Sequence, residues 1–402
     1  MISGQNETPV YFVKLQNLSV TCNVEQQIDA LLNAFESDEG IALLTQALNE
    51  SAREVREVAY WLLTETNEVS AKQVLRNYLP YARMLCLHTI VGSSEREPNY
   101  FAISMGRKSL LSNCHSREIK GYAYQSINIW DLQTGKLTHT LSFAHEHMAT
   151  GQDGTIIVGH FQHIIEVLKS WETKHPLMLH PDSAGEHRSN SDIGSLVMSH
   201  NGAIVACGEL GSTPLGLIAV WDIQAERIIH SLQWQPNAVF SNISKLMISP
   251  NGSLLLSQNY THFARADQDL HRLWNLQTGE VLCEFETSPH WLADGIAITP
   301  EGTCIVSGIR ENLVKVWDVM TDQIIYSFSG CSPTAMTPDG KVLAYSNDVN
   351  EIILWDLDLN QKIFSLPGNT SPVKAICLSS DREWVVSYYA DDTIKIYGLF
   401  DE

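Results

Sequence analysis

The chain has 402 residues, 44% apolar and 18% charged, an ordinary balance for a globular protein with a large buried core and more than one domain. Its 46 acidic against 26 basic residues give a formal charge of -20, a field that repels nucleic-acid backbones and anionic membranes and favours solubility. Eight cysteines with no Cys-x-x-Cys argue against a disulfide framework and a thiolate zinc site, and the absence of a signal-like start or of ~20 consecutive apolar residues makes a cytoplasmic location the expectation.

Residues 1–80 carry a helical period. Apolar residues recur at spacings of three and four in Val24 to Phe35, Ala42 to Leu48 and Glu50 to Leu63, with Ile28, Leu31, Leu32 and Phe35 on one face and Val55, Val58, Ala59 and Leu62 on another. Asn49 or Ser51 is placed to cap the third helix, whose exposed side is expected to carry Arg53, Glu54 and Glu57. Ser70 is placed to cap a short fourth helix, and Pro80 ends it. The stretch from Leu44 to Ala59, a turn followed by a helix bearing the Val55-Arg56 pair, resembles one HEAT-type repeat. A lone repeat of that kind must lean on another surface, either the following domain or a partner.

From Tyr81 onward, residues 81–402 read as short β-rich runs separated by Gly, Asn, Asp and Pro. One phrase recurs as Ile129-Trp130-Asp131-Leu132, Val220-Trp221-Asp222-Ile223, Val316-Trp317-Asp318-Val319 and Leu354-Trp355-Asp356-Leu357, with Leu273-Trp274-Asn275-Leu276 as a near-copy and Tyr397 in the last anchor position. The anchors lie ~40–45 residues apart, the length of one four-stranded propeller blade. The interval from Trp130 to Trp221 is about twice that, so a decayed unit is expected inside it, with Trp171 as its remnant. Each unit has a first turn, such as His200-Asn201-Gly202 or Pro338-Asp339-Gly340, in which Asn-Gly and Asp-Gly are expected to supply the positive φ of a two-residue hairpin. A second turn recurs as Gln133-Thr134-Gly135 and Gln277-Thr278-Gly279.

Motif, period and turn residues together resemble the WD-repeat β-propeller family over residues 81–402. The resemblance implies a mainly β fold: a seven-bladed propeller preceded by the helical segment, with Arg83 to Ile90 closing the last blade as its outer strand, because too few residues follow Tyr397 to supply one. A short helical prelude before degenerate WD units is similar to cyanobacterial members. The family pattern implies structural roles for Trp130, Trp221, Trp274, Trp317, Trp355 and Tyr397. It implies buried hydrogen-bond networks at Ser387 and Asp391, and at His290, Ser307 and Trp317 with Glu311 in the fifth blade.

Nothing in the motifs points to catalysis or a cofactor. Met105-Gly106-Arg107-Lys108-Ser109 lacks the upstream glycine and the Gly-Lys pair of a phosphate loop, and there is no Gly-x-Ser-x-Gly or His-Glu-x-x-His. Nine of the 15 histidines fall between His139 and His200. Within that run stand His145-x-His147 and His160-x-x-His163. A pair two apart on a strand, as His145 and His147 are, shares a face and suits zinc or copper, and the alternative reading is a metal-dependent hydrolase or oxidoreductase using His145, His147, His160 and His163. The main reading is a non-catalytic scaffold that binds a protein or peptide partner on its loop face. Tyr122, Tyr124, Trp234, Tyr260, Phe263, Arg265 and Trp291 are the expected contacts, since Trp, Tyr and Arg dominate binding hot spots.

Overall fold

The computed structural model describes residues 22–399, apart from 36–39, 51, 67, 92–100, 105–107, 120–121, 144–146, 152–154, 160–164, 169–176, 180–191, 211–216, 234–241, 250, 261–268, 288–295, 300–302, 309–312, 319–320 and 322. The chain divides into two compact units with a boundary between Leu79 and Pro80.

The first unit holds helices α1 (Cys22–Ala34), α2 (Gly40–Ala47), α3 (Arg53–Glu65) and α4 (Val69–Asn77). The apolar stripes predicted from the spacing meet: Ile28, Leu31, Leu44, Val55, Val58, Ala59, Leu62, Leu63 and Ala71 form one buried core. The polar expectations fare worse. Ala52 occupies the N-cap of α3 with no side-chain cap, and Glu68, not Ser70, occupies that of α4. Arg53 is buried, not exposed: its Nε donates to Glu57 Oε1 at 2.8 Å, while the neighbouring buried Arg56 donates from Nη1 to the Glu50 carbonyl at 3.0 Å. Glu57 pairs with the charge of Arg53 and the Glu50 carbonyl accepts from Arg56, which lowers the cost of burying the two guanidinium groups.

The second unit, Pro80–Leu399, is mainly β and is a β-propeller. It opens with a 3-10 turn, Pro80–Arg83, and strand β1 (Met84–Val91). The first sheet is β2 (Phe101–Ser104), β3 (Ser109–Ile119), β4 (Tyr122–Asp131) and β5 (Leu137–Phe143). The second is β6 (His147–Thr150), β7 (Ile156–Gly159), β8 (Ile165–Leu168) and β9 (Leu177–Leu179). The third is β10 (Asp192–Met198), β11 (Ile204–Leu210), β12 (Leu217–Asp222) and β13 (Arg227–Gln233). The fourth is β14 (Asn242–Ile248), β15 (Leu254–Tyr260), β16 (Asp269–Asn275) and β17 (Val281–Thr287). The fifth is β18 (Ile296–Ile298), β19 (Thr303–Gly308), β20 (Leu313–Asp318) and β21 (Gln323–Ser329). The sixth is β22 (Cys331–Met336), β23 (Val342–Ser346), β24 (Ile352–Asp356) and β25 (Gln361–Leu366). The seventh takes β26 (Val373–Leu378), β27 (Trp384–Tyr389) and β28 (Thr393–Leu399) from the end of the chain, and its fourth strand is β1, antiparallel to β28.

Third strands are buried on both faces, as in Ile352-Ile353-Leu354, because each sheet is covered by a neighbour on either side. The buried clusters run across those borders. Leu111, Ile129, Met148 and Ile156 join the first and second sheets, Val167, Ile193 and Trp221 the second and third, and Ala206, Ile218, Ile243 and Trp274 the third and fourth. Leu256, Leu273 and Ile298 join the fourth and fifth, and Val314, Leu343 and Ile353 the fifth and sixth. Strands β22 and β26 lie side by side between the sixth and seventh, and Leu110, Leu132, Trp384 and Ile396 join the seventh to the first.

The register identifies the decayed unit. In the other sheets with a full motif, the first or nearly first residue of the second strand faces the motif Asp or Asn, as Ile204 faces Asp222 and Leu254 faces Asn275. In the second sheet Ile156 faces Leu168 and Ile157 faces Val167. Val167-Leu168 therefore stands in the Trp-Asp position. Trp171, expected as the remnant, falls after the strand and outside the described residues.

Candidate functional site

Alternating antiparallel strands put two kinds of connection at opposite ends of each sheet. The turns between first and second strands, and between third and fourth, share one end; the loops between second and third strands, and from one sheet to the next, share the other. The turn end is built for rigidity. In the first turn Ser199 Oγ donates to Asn201 Oδ1 at 2.7 Å, the same oxygen accepts from the Ala203 N–H at 3.1 Å, and the Gly202 N–H closes on the Ser199 carbonyl at 2.9 Å. The pattern repeats at Ser249-Asn251-Gly252, at Thr337-Asp339-Gly340 and at Ser379-Asp381-Arg382. These loops are longer than two residues. The fourth of their five residues takes positive φ, 72° at Gly202 and 71° at Gly340, and the Asn or Asp before it acts as an acceptor instead.

The motif Asp serves the second turn. Asp131 Oδ1 accepts from the Thr134 N–H at 2.7 Å, Asp222 Oδ1 from Gln224 and Ala225 at 2.9 Å each, and Asp356 Oδ1 from Asp358 and Leu359 at 2.9 and 3.0 Å. Asn275 makes the same bonds, to Gln277 at 2.8 Å and Thr278 at 3.3 Å. The turn needs a side-chain carbonyl oxygen, not a charge, which accounts for the Trp-Asn copy. The seventh sheet confirms the logic: its third strand makes no turn into a fourth, and Gly398 occupies the Asp position opposite Trp384.

The anchor side chains are less uniform than the motif. Trp274 is buried and donates to Ser257 Oγ at 2.7 Å; Trp130 is half-buried and reaches Ser112 Oγ at 3.2 Å. Trp221 is buried opposite Val205, and the serine position two residues on is Cys207. Half-buried Trp355 stacks on Phe328 with centroids 4.7 Å apart, and its Nε1 donates to Asn360 Oδ1 at 3.3 Å. Half-buried Trp317 pairs with Cys304, which puts Val306 in the serine position and Ser307 one residue out of phase with the expectation. His290 and Glu311 lie outside the described residues.

In the seventh sheet Ser387 Oγ meets the Tyr389 hydroxyl at 3.1 Å, and the Tyr397 hydroxyl donates to the Pro367 carbonyl. Burial, with Tyr389 alongside, pushes the Tyr397 phenol up, so it stays a neutral donor. Asp391 departs from the buried network expected of it. It is exposed, accepting from Asn369 Nδ2 at 3.0 Å and from the Thr393 N–H at 3.2 Å.

At the loop end the described residues lie mainly on the sixth and seventh sheets. Asn347 Oδ1 accepts from the Val349 and Glu351 N–H groups at 3.1 and 2.8 Å, Asn350 Nδ2 donates to the Thr370 carbonyl at 3.4 Å, and Asn369 reaches Asp391. Gly368 lies so close to Asn350 that a Cβ there would sit 1.5 Å from the Asn350 carbonyl oxygen. Three connections are thus tied together, leaving Asp348, Val349, Thr370 and Asp391 exposed. Tyr122 begins β4 opposite Ile119, and Tyr260 ends β15 opposite Asn242, so both backbones lie at this end; Tyr124 follows on β4. Trp234, Phe263, Arg265 and Trp291 lie outside the described residues, as do His145, His160 and His163, while His147 begins β6. Among the described residues no three His, Cys, Asp or Glu side chains are grouped to hold a metal ion, and no helix is long and apolar enough to cross a membrane.

A repeated turn, a repeated Trp strand and a repeated border define a unit, and the WD domain, G-beta repeat family matches residues 360–398. The chain carries a WD repeat. Its matched unit runs from the start of β25 in the sixth sheet through β28 in the seventh, so the repeat is staggered against the sheets. Among curated proteins the chain is 22% identical over 217 residues to angio-associated migratory cell protein of dog, covering 50% of this chain and 46% of that protein. It is 24% identical over 311 residues to telomerase Cajal body protein 1 of Mesocricetus auratus, covering 70% and 49%. The chain thus spans about half the length of the curated relatives it matches. Among solved structures, a chain of the mitotic checkpoint complex superposes with a TM-score of 0.55 at 15% identity, over 79% of this chain and 92% of that one. That likeness establishes the fold.

Proposed function

We propose that this WD-repeat propeller is a non-catalytic interaction scaffold in which seven blades form one ring closed by β1, and that a protein or peptide partner binds across its loop end. Tyr122, Tyr124, Trp234, Tyr260, Phe263, Arg265 and Trp291 are the assigned contacts, and the helical unit offers a second surface. The observation that carries the reading is the cross-tied loop end of the sixth and seventh sheets, where a rigid backbone holds polar and apolar side chains outward. A surface ordered before binding loses little entropy on association. Closure is supported by the β1–β28 pairing, by the cluster shared between the seventh and first sheets, and by the Cys377 thiol, which donates to the Phe101 carbonyl at 3.0 Å across the same border. The solved structural neighbour belongs to a multiprotein assembly, consistent with protein partners; a cytoplasmic setting belongs to the same reading.

Tagged chain purified from its native cells, with bound proteins identified by mass spectrometry, tests this. Two sets of substitutions are compared: Tyr260→Ala with Phe263→Ala and Arg265→Ala at the loop end, and Ile324→Lys on the outer strand β21. Loss of the same proteins in the first set and retention in the second is expected. The opposite pattern would overturn the assignment of the face.

A further inference from the structure

The outer edge of β28 holds a strand that comes from the far end of the sequence. β1 pairs with it from Met84 opposite Leu399 to Val91 opposite Thr393, with an irregularity between Cys86 and His88. Two locks fix that register. At one end the Pro80–Arg83 turn lies against β25 and β28 with Pro80 and Tyr81 buried, Tyr81 completely, and Met84 is buried behind it. In the middle His88 Nε2 donates to the Gln133 carbonyl of the first sheet at 2.7 Å. The irregularity and the histidine repeat what an interior outer strand does: in the third sheet His230 faces Val220 just past the same irregularity, and its Nε2 donates to the Leu276 carbonyl of the fourth sheet at 2.8 Å.

We propose that this edge, with the seat for Tyr81, is a binding site specific for residues 80–91, and that its second occupant is the same segment of another copy of the chain, giving a strand-exchanged dimer. The inference rests on the closed-ring reading above. In the exchanged form the same side chains meet the same partners, so the two states differ mainly in the entropy of association, and protein concentration sets their ratio. Recognition is by sequence. An unrelated strand could form the backbone ladder, but without a Tyr, a Met and a His at these offsets it would leave the seat empty and the Gln133 carbonyl unbonded. Nine residues, Gly92 to Tyr100, join β1 to β2 in sequence, a span of up to ~30 Å when extended. Because the helical unit precedes Pro80 in the chain, exchange transfers it with the strand and gives each ring the helices of its partner.

Disulfide trapping tests closure and exchange separately, in a Cys86→Ser background. On one chain, Val91→Cys with Thr393→Cys reports closure within the molecule. On two chains, Val91→Cys mixed with Thr393→Cys, refolded together from denaturant and then oxidised, reports exchange. The double variant is expected to yield a cross-linked monomer, and the mixture a covalent dimer whose yield rises with protein concentration during refolding and vanishes when refolding before oxidation is carried out at high dilution. A double variant that cross-links beside a mixture that stays monomeric at every concentration overturns exchange alone. A double variant that fails to cross-link while unfolding at the parent temperature overturns the closed ring, and exchange with it. A second mixture, Val91→Cys with Ile324→Cys, controls for random collision: equal dimer yields in the two mixtures also overturn the proposal.

Discussion

Arg382 and Asp339 meet across the border between the seventh and sixth sheets, the guanidinium Nη2 on the carboxylate Oδ2, with the arginine buried and the aspartate partly exposed. Arg382 does this from a φ of 63°, at the turn position where Gly202, Gly252 and Gly340 stand in other sheets. A non-glycine residue there is strained by about 1 kcal/mol, and the ion pair offsets the strain. Arg382→Ala keeps the strain and loses the pair, whereas Arg382→Gly loses the pair and relieves the strain. Both variants are expected to be destabilised in urea unfolding, with glycine the milder by about 1 kcal/mol. If alanine is the milder, the backbone argument is wrong.

His200 occupies the turn position held by Pro338 in the sixth sheet, and its Nε2 is buried. Burial lowers its pKa from the usual 6.5 to about 4. Between those values the unfolded chain binds a proton that the folded chain refuses, so stability contributed by the neutral ring is present above pH 6.5, falls as pH drops, and is fully lost below about pH 4. His200→Pro is expected to flatten the pH dependence of the unfolding midpoint across that window. It should also add about 0.4–1 kcal/mol at neutral pH by restricting the unfolded chain.

The second turn asks for an oxygen, so Asn275→Asp should change stability by less than about 0.5 kcal/mol, the range of neutral surface changes. Asn275→Ala leaves the Gln277 and Thr278 N–H groups without their acceptor and should cost about 1 kcal/mol. Equal costs for the two substitutions in chemical denaturation would remove the Asx-turn explanation of the Trp-Asp motif.

His88→Ala and His230→Ala delete equivalent bonds at different borders. Each loses one hydrogen bond at a partly solvated border, at a cost of about 0.5–1.5 kcal/mol. Similar values for both are expected of a ring with no open border; a His88→Ala variant as stable as the parent would mean that the seventh and first sheets are not locked together.

The helical and β periods, the ~40-residue repeat and the two turn positions were legible in the sequence because each depends on local pattern: alternation, Gly at positive φ, Trp followed by Asp. What stayed hidden depends on register. The slot filled by Val167-Leu168 became visible only when Ile156 was seen opposite Leu168, since no residue type marks a decayed motif. Ser307 looked suitable by composition but sits one residue off, and one step on a strand reverses the face. Arg53 read as a surface cation because charge predicts exposure, whereas Glu57 one turn on lets it be buried. At the loop end, Tyr122 and Tyr260 could be placed by counting, but the tie between Gly368 and Asn350 links residues whose closeness no spacing announces.

The stagger between the matched repeat and the sheets has a consequence for how such a molecule can grow or shrink. A segment cut from 360 to 398 takes the last spoke of one wedge and three spokes of the next. Duplicating or deleting it at the gene level therefore leaves every wedge complete. On the closed-ring proposal, the number of wedges then changes without exposing a raw side.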